Sequence, residues 1–223
     1  KLNLSFDQLQ PHLHTLPNLP EAVPYRTSYF KEDWAFCLTQ HQFDQINRDF
    51  NYEVFIDADL KDGSLTLADT KLSGSSNKKY LISTYCCHPS MANDNLSGLI
   101  VASLLYQKLE KKELRHNYLF VILPETIGAI TYLSQHRDEM RDIDGGFVIT
   151  TCGGPGAYGH KETYLGNHAI DRAIRLAFRD ANQNLINYPF VPDGSDERQY
   201  SSPGFRIPVA TITKDKYYEY PYY

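Results

Sequence analysis

The amino-acid sequence predicts an α/β fold in which a mainly parallel β-sheet is covered by α-helices. From residue 79 onward, strand-like segments alternate with segments whose apolar residues recur at helical spacing. The strand-like segments are apolar almost throughout, as expected for strands that are buried on both faces. With 223 residues, 42% of them hydrophobic, the chain can form one α/β domain and a smaller appendage.

The elements of the predicted α/β domain follow one another in a regular order. The first strand is KKYLISTYCC, and the next segment, SGLIVASLLYQKLEKKEL, combines helical spacing with a lysine-rich end that suits a helix carboxyl terminus. The later elements are strand NYLFVIL, helix TIGAITYLSQHRDEM, strand GGFVITT, helix HAIDRAIRLAFRDANQ and strand PVATIT. Ligand sites in open α/β sheets lie at the carboxyl ends of the strands, so that edge is the place to look for function.

Residues 1–75 have a different character and are predicted to form a small, separate β-rich domain. They are rich in proline and aromatic residues, and the segments YEVFIDADL and LTLADTKL flank the turn signal KDGS, which predicts a β-hairpin. The segment SGSSNK indicates a linker to the larger domain, residues 76–223.

Composition excludes several classes of function. The net charge is -5 and the basic residues are scattered, so no surface for nucleic acid or an anionic membrane is predicted. No apolar run reaches the roughly 18 residues of a membrane span, and no signal-peptide pattern is present. Four cysteines, two of them adjacent, do not form a disulfide framework, which favours a reducing, cytoplasmic location. The start at Lys1 and the aromatic end suggest a fragment of a longer chain.

Two consecutive strand ends carry side chains of the kinds that bind metal ions. In CCHPSMANDNLSG, residues 86–98, His88 leaves the carboxyl end of one predicted strand and Asp94 lies just before the next helix. Glu125, in ILPETIGA, has the same position after the following strand. A neutral imidazole and a carboxylate are ligands that zinc takes, and a further glutamate could accept a proton from activated water. The sequence therefore predicts a metal-dependent site at this edge of the sheet.

Each of these residues also has a purely structural interpretation. His88 could be a packed histidine that is bonded to a backbone carbonyl. Asp94 or Asn95 could cap the following helix, and Glu125 could be favoured only by the helix amino terminus beside it. Three independent coincidences at one edge of one sheet are less expected than one shared site.

The same residues carry a resemblance to a known family. The segment HPSMANDNLSG is similar to the histidine and NDxxSG signature of the M28-type zinc aminopeptidases, and PETIGAITYL resembles their catalytic-glutamate segment. The segment GSDERQYSSPGFRIPVATIT resembles their SDHxxF…GIP segment. More closely, STYCCHPSMANDNLSG, LPETIGAI, TCGGPGAY and PDGSDERQYSSPGFRIPV together resemble bacterial aminopeptidase-like proteins of unknown function, of the DUF4910/DUF2172 type, that are associated with polysaccharide biosynthesis.

This resemblance implies a three-layer α/β sandwich with a mainly parallel, mixed sheet, of the zinc aminopeptidase and phosphorylase/hydrolase-like kind. Residues 1–75 would then be a small β-rich inserted domain, and residues 76–223 an aminopeptidase-like catalytic domain. In the larger family the position of His88 binds one metal ion, that of Asp94 bridges two, and that of Glu125 is the general base.

The sequence departs from the family pattern at three places. Thr126 stands where a metal-binding glutamate normally follows the base, and the strand FVITTCGG lacks the usual aspartate ligand. The last histidine of the family would follow Tyr223. These departures predict one zinc ion, held by His88 and Asp94 with a third ligand beyond Tyr223, in preference to two.

The segment VPDGSDERQYSSPGF supplies further candidate residues. Asp193, Asp196 and Arg198 could line a substrate cleft, with an acidic group facing a free amino terminus and the arginine facing a carboxylate. The alternative is a polar turn whose charges satisfy one another. Cys152, in TTCGGPG, could be a soft ligand or a nucleophile, although a small buried residue at a strand end is the more common situation.

The resemblance implies a metal-dependent hydrolase of the aminopeptidase type that cleaves an amide or peptide bond in a small peptide, amino-acid amide or amino-sugar amide. One alternative is acyl transfer of the glutaminyl-cyclase kind. Another is a binding module without catalysis, which Thr126 and the ligand-free strand favour. Residues 1–75 are expected to restrict access to the cleft without supplying catalytic groups, and the tyrosines of residues 217–223 to cover the sheet edge.

Overall fold

A computed structural model describes residues 1–26, 31–217 and 220 and divides the chain into two compact units. The smaller unit comprises residues 1–63 and the larger one residues 64–221. The division lies twelve residues before the predicted boundary at 75, because the segment after residue 63 joins the large sheet. Among the described residues no helix is long and apolar enough to cross a membrane.

The smaller unit consists of short elements joined by irregular segments. Residues 2–5 pair antiparallel with residues 51–54, and residues 13–14 pair parallel with residues 36–37. The elements are β1 (Leu2–Ser5), α1 (Phe6–Leu9), a 3-10 turn (Gln10–His12), β2 (Leu13–His14), β3 (Phe36–Cys37), α2 (Gln40–Asp44) and β4 (Asn51–Val54). A small apolar centre is formed by Phe6, Leu9 and Val54, which are all buried. The unit is thus rich in short strands, and its status as an insertion remains a prediction.

The larger unit is built on a seven-stranded mixed sheet. Its strands are β5 (Ala68–Leu72), β6 (Lys79–Tyr85), β7 (Asn117–Leu123), β8 (Gly145–Ile149), β9 (Tyr158–Lys161), β10 (Leu185–Tyr188) and β11 (Val209–Thr213). Their order across the sheet is β10-β9-β11-β8-β6-β7-β5. The four central strands, β11, β8, β6 and β7, run parallel, while β5 and β9 run antiparallel to their inner neighbours. The prediction of a mainly parallel sheet is confirmed.

The predicted hairpin in residues 52–72 is wrong. β4 pairs with β1 in the smaller unit, and β5 pairs with β7 at the edge of the large sheet. A turn signal favours local pairing only when no better partner is available, and here each strand satisfies its backbone groups with a strand that is distant in sequence.

Helices cover both faces of the large sheet. They are needed on both because successive side chains of a strand point to opposite faces, and these strands are apolar almost throughout. The helices are α3 (Gly98–Leu109), α4 (Ile127–Gln135), α5 (Arg137–Arg141), α6 (Ala169–Asp180) and α7 (Glu197–Tyr200). On one face, Ile82 and Phe120 pack with Ala102 of α3, and the Ile170 and Ile174 side chains of α6 lie on Ala210. On the other face, Leu81, Tyr85 and their neighbours pack with residues of α4, α5 and α7. The larger unit therefore has three layers.

Candidate functional site

His88 and Glu125 meet at the carboxyl ends of adjacent parallel strands. His88 lies three residues beyond the end of β6, and Glu125 two residues beyond the end of β7. The Nε2 atom of His88 is 3.6 Å from an Oε2 atom of Glu125, and the two side chains are 6% and 21% exposed. The parallel pairing of the two strands thus brings the two predicted groups together, as the sequence predicts.

Asp94 is held at the same edge by Tyr85, the last residue of β6. The Tyr85 hydroxyl donates a hydrogen bond to Oδ1 of Asp94 at 2.8 Å and lies 2.6 Å from Oγ1 of Thr150. The Tyr85 ring is 5.6 Å from the ring of His88. Tyr85 was not singled out from the sequence, because an aromatic residue inside an apolar strand has no signature of its own.

The capping role belongs to Asn95 and not to Asp94. Oδ1 of Asn95 accepts the N–H of Gly98, the first residue of α3, and also the N–H of Thr151. Its Nδ2 donates to Oγ1 of Thr84 at 3.0 Å. Asp94 and Asn95 leave helical backbone angles within the turn Ala92–Ser97, and the bond between them is cis. Because Asn95 holds the helix start, the carboxylate of Asp94 is available for another role.

A strained turn follows Glu125. Thr126 has φ 63° and ψ -69°, and the N–H of Ile127 donates to the carbonyl of Glu125 at 2.7 Å. These are the features of a γ-turn of the rare, positive-φ form, which is unfavourable for a β-branched residue. The N–H of Thr126 donates to Oδ1 of Asp196 at 2.6 Å. Asp196 thereby ties the turn that carries Glu125 to the segment before α7.

Glu125 and Asp196 are held in an environment that disfavours their charged forms. Burial, with the neighbouring charges of Asp196 and Asp94, raises the pKa of Glu125 to about 8. Burial raises the pKa of Asp196 to about 7, even though the bond from Thr126 opposes the shift. Oδ2 of Asp196 is buried and has no hydrogen-bond partner in the described part of the chain. A raised carboxyl pKa in a cluster of this kind marks a candidate catalytic site.

Glu197, at the start of α7, is part of a buried ion pair. Nζ of Lys161 donates to its Oε1 at 2.6 Å, and the two side chains are 4% and 0% exposed. Oγ1 of Thr211 donates to the other carboxylate oxygen at 2.7 Å. Lys161 also donates to the carbonyl of Asp193 and to the hydroxyl of Tyr217, both at 2.7 Å. Neither Lys161 nor this network had a signal in the sequence.

The three predicted substrate-binding residues have different surroundings. Asp196 is fully buried, and Arg198 is close enough to lower the pKa values of Glu125 and Asp196 by its charge. The side chain of Asp193 is 62% exposed and lies 3.2 Å from Nζ of Lys161. The structure therefore brings Asp196 and Arg198 into the electrostatic environment of Glu125 and places Asp193 on the lysine.

Cys152 and Tyr217, a tyrosine near the end of the chain, both pack against other side chains. Cys152 packs against the apolar cluster beneath α3, and burial raises the pKa of its thiol to about 11. Tyr217 is buried on Lys161. Tyr218, Tyr222 and Tyr223 lie outside the described residues. The surroundings of Cys152 thus match the interpretation as a packed residue near a strand end.

The side chains at this edge of the sheet are of types that bind divalent cations. An imidazole at His88 and carboxylates at Asp94 and Glu125 are ligand types that zinc takes. The orphaned Oδ2 atom of Asp196, and the burial and neighbouring carboxylates that raise the pKa of Glu125, both favour a positive charge nearby. Across residues 1–26, 31–217 and 220, no three His, Cys, Asp or Glu side chains form a group that could hold an ion by themselves.

The mixed α/β fold of this chain is shared by solved structures of aminopeptidases and glutaminyl cyclases. An aminopeptidase from Aneurinibacillus sp. strain AM-1 superposes with a TM-score of 0.59 at 19% identity, over 70% of this chain and 40% of that one. A Porphyromonas gingivalis glutaminyl cyclase superposes with a TM-score of 0.55 at 14% identity, over 70% of this chain and 65% of that one. At these identities the likeness shows the fold alone.

The chain belongs to the family described as Domain of unknown function (DUF4910), whose profile matches residues 11–223. A Clostridium acetobutylicum protein, provisionally named a polysaccharide biosynthesis protein with an aminopeptidase-like domain, is 41% identical over 214 residues, which are 96% of this chain and 49% of that protein. A crystal structure of a protein from C. acetobutylicum, provisionally described as a peptidase, superposes with a TM-score of 0.93 at 40% identity, over 97% of this chain and 51% of that one. The chain thus spans about half the length of these relatives.

Proposed function

We propose that this protein is a metal-dependent hydrolase of the aminopeptidase type, related to the M28 enzymes, which cleaves an amide or peptide bond of a small substrate. The observation that carries the proposal is the pairing of Glu125, whose pKa is raised to about 8, with His88 at 3.6 Å beside the buried carboxylate of Asp94. An acidic group with a pKa near neutrality can both accept and return a proton, which amide hydrolysis requires.

His88 and Asp94 would hold one zinc ion. When bound, that ion would polarise the scissile carbonyl and lower the pKa of water. Tyr85 orients the Asp94 carboxylate through its hydroxyl, and Asn95 keeps the start of α3 in place so that Asp94 can face the site. The rest of the ligand set is expected to lie beyond Tyr223.

Glu125 is the general base in the attack of water and the general acid as the C–N bond breaks. Its carboxylate takes a proton from the attacking water and passes it to the leaving amine. The γ-turn at Thr126 and the bond from its N–H to Asp196 restrain the backbone that carries this side chain. Arg198, which favours the charged forms of both acids, would also meet a substrate carboxylate.

Glu125→Gln tests this assignment. Turnover of aminoacyl amides by the full-length gene product should fall about 10²-fold or more, the range for removal of a general base, while zinc content and thermal stability stay unchanged. Glu113→Gln, at an exposed glutamate after α3, is the matched control and should keep full activity. Loss of zinc together with activity would make Glu125 a ligand instead, and unchanged turnover would contradict the mechanism.

Two other functions give different results in the same assays. Acyl transfer of the glutaminyl-cyclase kind would show as cyclisation of an amino-terminal glutamine and no hydrolysis of other aminoacyl amides. A binding module without catalysis would bind small amides without turnover. This alternative is favoured by the neutral Thr126 and by the lack of an aspartate ligand in the segment FVITTCGG. We also propose a reducing, cytoplasmic location, which the four free thiols support.

A further inference from the structure

We propose that Cys87 is a positioning residue that holds the His88 ring in the tautomer whose Nε2 lone pair faces the site. The inference rests on the proposed function in one respect, which is that His88 binds the metal ion. The inference adds a role for Cys87, which directly precedes His88 just after the end of β6.

Two contacts of the Cys87 sulfur carry the inference. The N–H of Glu125 donates to Sγ at 3.2 Å, and Nδ1 of His88 lies 3.4 Å from the same sulfur. Both distances are within the range of hydrogen bonds to sulfur. One atom therefore connects the proposed ligand at the end of β6 with the backbone of the proposed base at the end of β7.

The orientation of the His88 ring sets which group each ring nitrogen faces. Nδ1 faces the sulfur, and Nε2 faces the carboxylate of Glu125 at 3.6 Å. A neutral imidazole carries one ring proton, and a nitrogen that binds a metal cannot be the protonated one. If the proton lies on Nδ1 and is donated to the sulfur, the lone pair of Nε2 points into the site. Metal-binding histidines usually donate their second nitrogen to an oxygen, and a sulfur takes that place here.

Cys86 offers a matched control in the same segment. Both cysteines are exposed and adjacent, but the contacts to His88 and to Glu125 are made by Cys87. Removal of an outer partner of a metal-binding histidine weakens metal affinity by about 10- to 100-fold. Cys87→Ala should therefore have this effect, Cys86→Ala should leave the affinity unchanged, and Cys87→Ser, which keeps an acceptor, should fall between them.

The first measurement is long-range ¹H–¹⁵N NMR of the histidine rings in the metal-free protein, with the His88 signals assigned by their loss in His88→Gln. The wild type and Cys86→Ala should show His88 protonated on Nδ1. Cys87→Ala should shift the proton partly or wholly to Nε2, with an unchanged melting temperature. A wild-type ring that is protonated on Nε2, or the same tautomer in wild type and Cys87→Ala, overturns the proposal.

The second measurement is zinc affinity by competition with a chelator, together with the spectrum of the Co²⁺-loaded protein. If the wild type binds zinc and Cys87→Ala binds it with equal affinity, the proposal is overturned. A sulfur-to-cobalt charge-transfer band that disappears in Cys87→Ala also overturns it, because Cys87 would then be a ligand. If the tautomer depends on Cys87 but the wild type binds no zinc, the positioning role stands and the proposed hydrolase function fails.

Discussion

Lys161→Met should destabilise the larger unit strongly, because it leaves Glu197 buried without its partner. The two side chains are 4% and 0% exposed and 2.6 Å apart, so the remaining carboxylate would be almost wholly shielded from water. Breaking a buried pair on one side costs about 3–5 kcal/mol. The loss of the bonds from Lys161 to Asp193 and Tyr217 acts in the same direction. Urea denaturation measures the free energy of unfolding directly.

The double variant Lys161→Met/Glu197→Leu separates the charge from the packing. Because replacement of a whole buried pair by apolar residues is often neutral, the double variant should recover most of the loss. Thermal unfolding provides a second measure, since about 2–4 °C in melting temperature corresponds to 1 kcal/mol in a domain of this size. A loss below about 1 kcal/mol in the single variant, or additive losses in the double variant, would refute the reasoning.

Three further changes test other parts of the structure. Asp171→Asn should cost about 1.5–3 kcal/mol at neutral pH, because its buried carboxylate accepts bonds from Thr163 at 2.6 and 2.8 Å. The folded protein holds the pKa of Asp171 below its ordinary value, so this contribution is present above about pH 4 and is lost as the pH falls; an equal difference in urea midpoint at pH 7 and pH 2 would contradict it. The Thr126→Gly variant should be at least about 1 kcal/mol more stable than Thr126→Val, because glycine adopts the φ of 63° without the strain that a β-branched residue has there. Equal urea midpoints of the two variants would argue against strain. Gly146→Ala should cost about 1–3 kcal/mol, because a Cβ there would clash with the carbonyl oxygen of Leu81 in β6, whereas Gly63→Ala, in open space, should be neutral.

Much of the larger unit could be predicted because its pattern is strongly periodic. Strand NYLFVIL coincides with β7, and the predicted helix SGLIVASLLYQKLEKKEL contains α3. A continuous apolar run between turn signals has few alternatives to a buried strand, and its position before a helix places its carboxyl end at the site edge. The meeting of His88 and Glu125 follows from this regularity, since adjacent parallel strands end at one edge.

The features that the sequence does not predict depend on contacts between residues that are distant in the chain. β9 contains the buried polar residues His160 and Lys161, which no apolar pattern predicts as strand interior. Their burial is possible only because Asp171 lies 3.1 Å from the histidine and Glu197 pairs with the lysine. The sequence predicts a local hairpin for β5, since a pattern of neighbouring residues gives no sign of its partner β7, about 50 residues further along the chain. The strained turn at Thr126 has no sequence signal either, since its backbone angles contradict the preference of threonine.

The most direct test of the central claim is the zinc content of the full-length gene product, purified with zinc and dialysed, in the wild type and in His88→Ala and Asp94→Ala. His136→Ala, at a histidine stacked on Tyr132 between α4 and α5, is the control for general loss of histidine. The proposed site predicts about one zinc ion per chain in the wild type and in the control, as one cation suits the donor set of an open catalytic site. Both site variants should lose it. Unchanged stoichiometry in His88→Ala and Asp94→Ala would contradict the assignment of these residues and the hydrolase mechanism built on them.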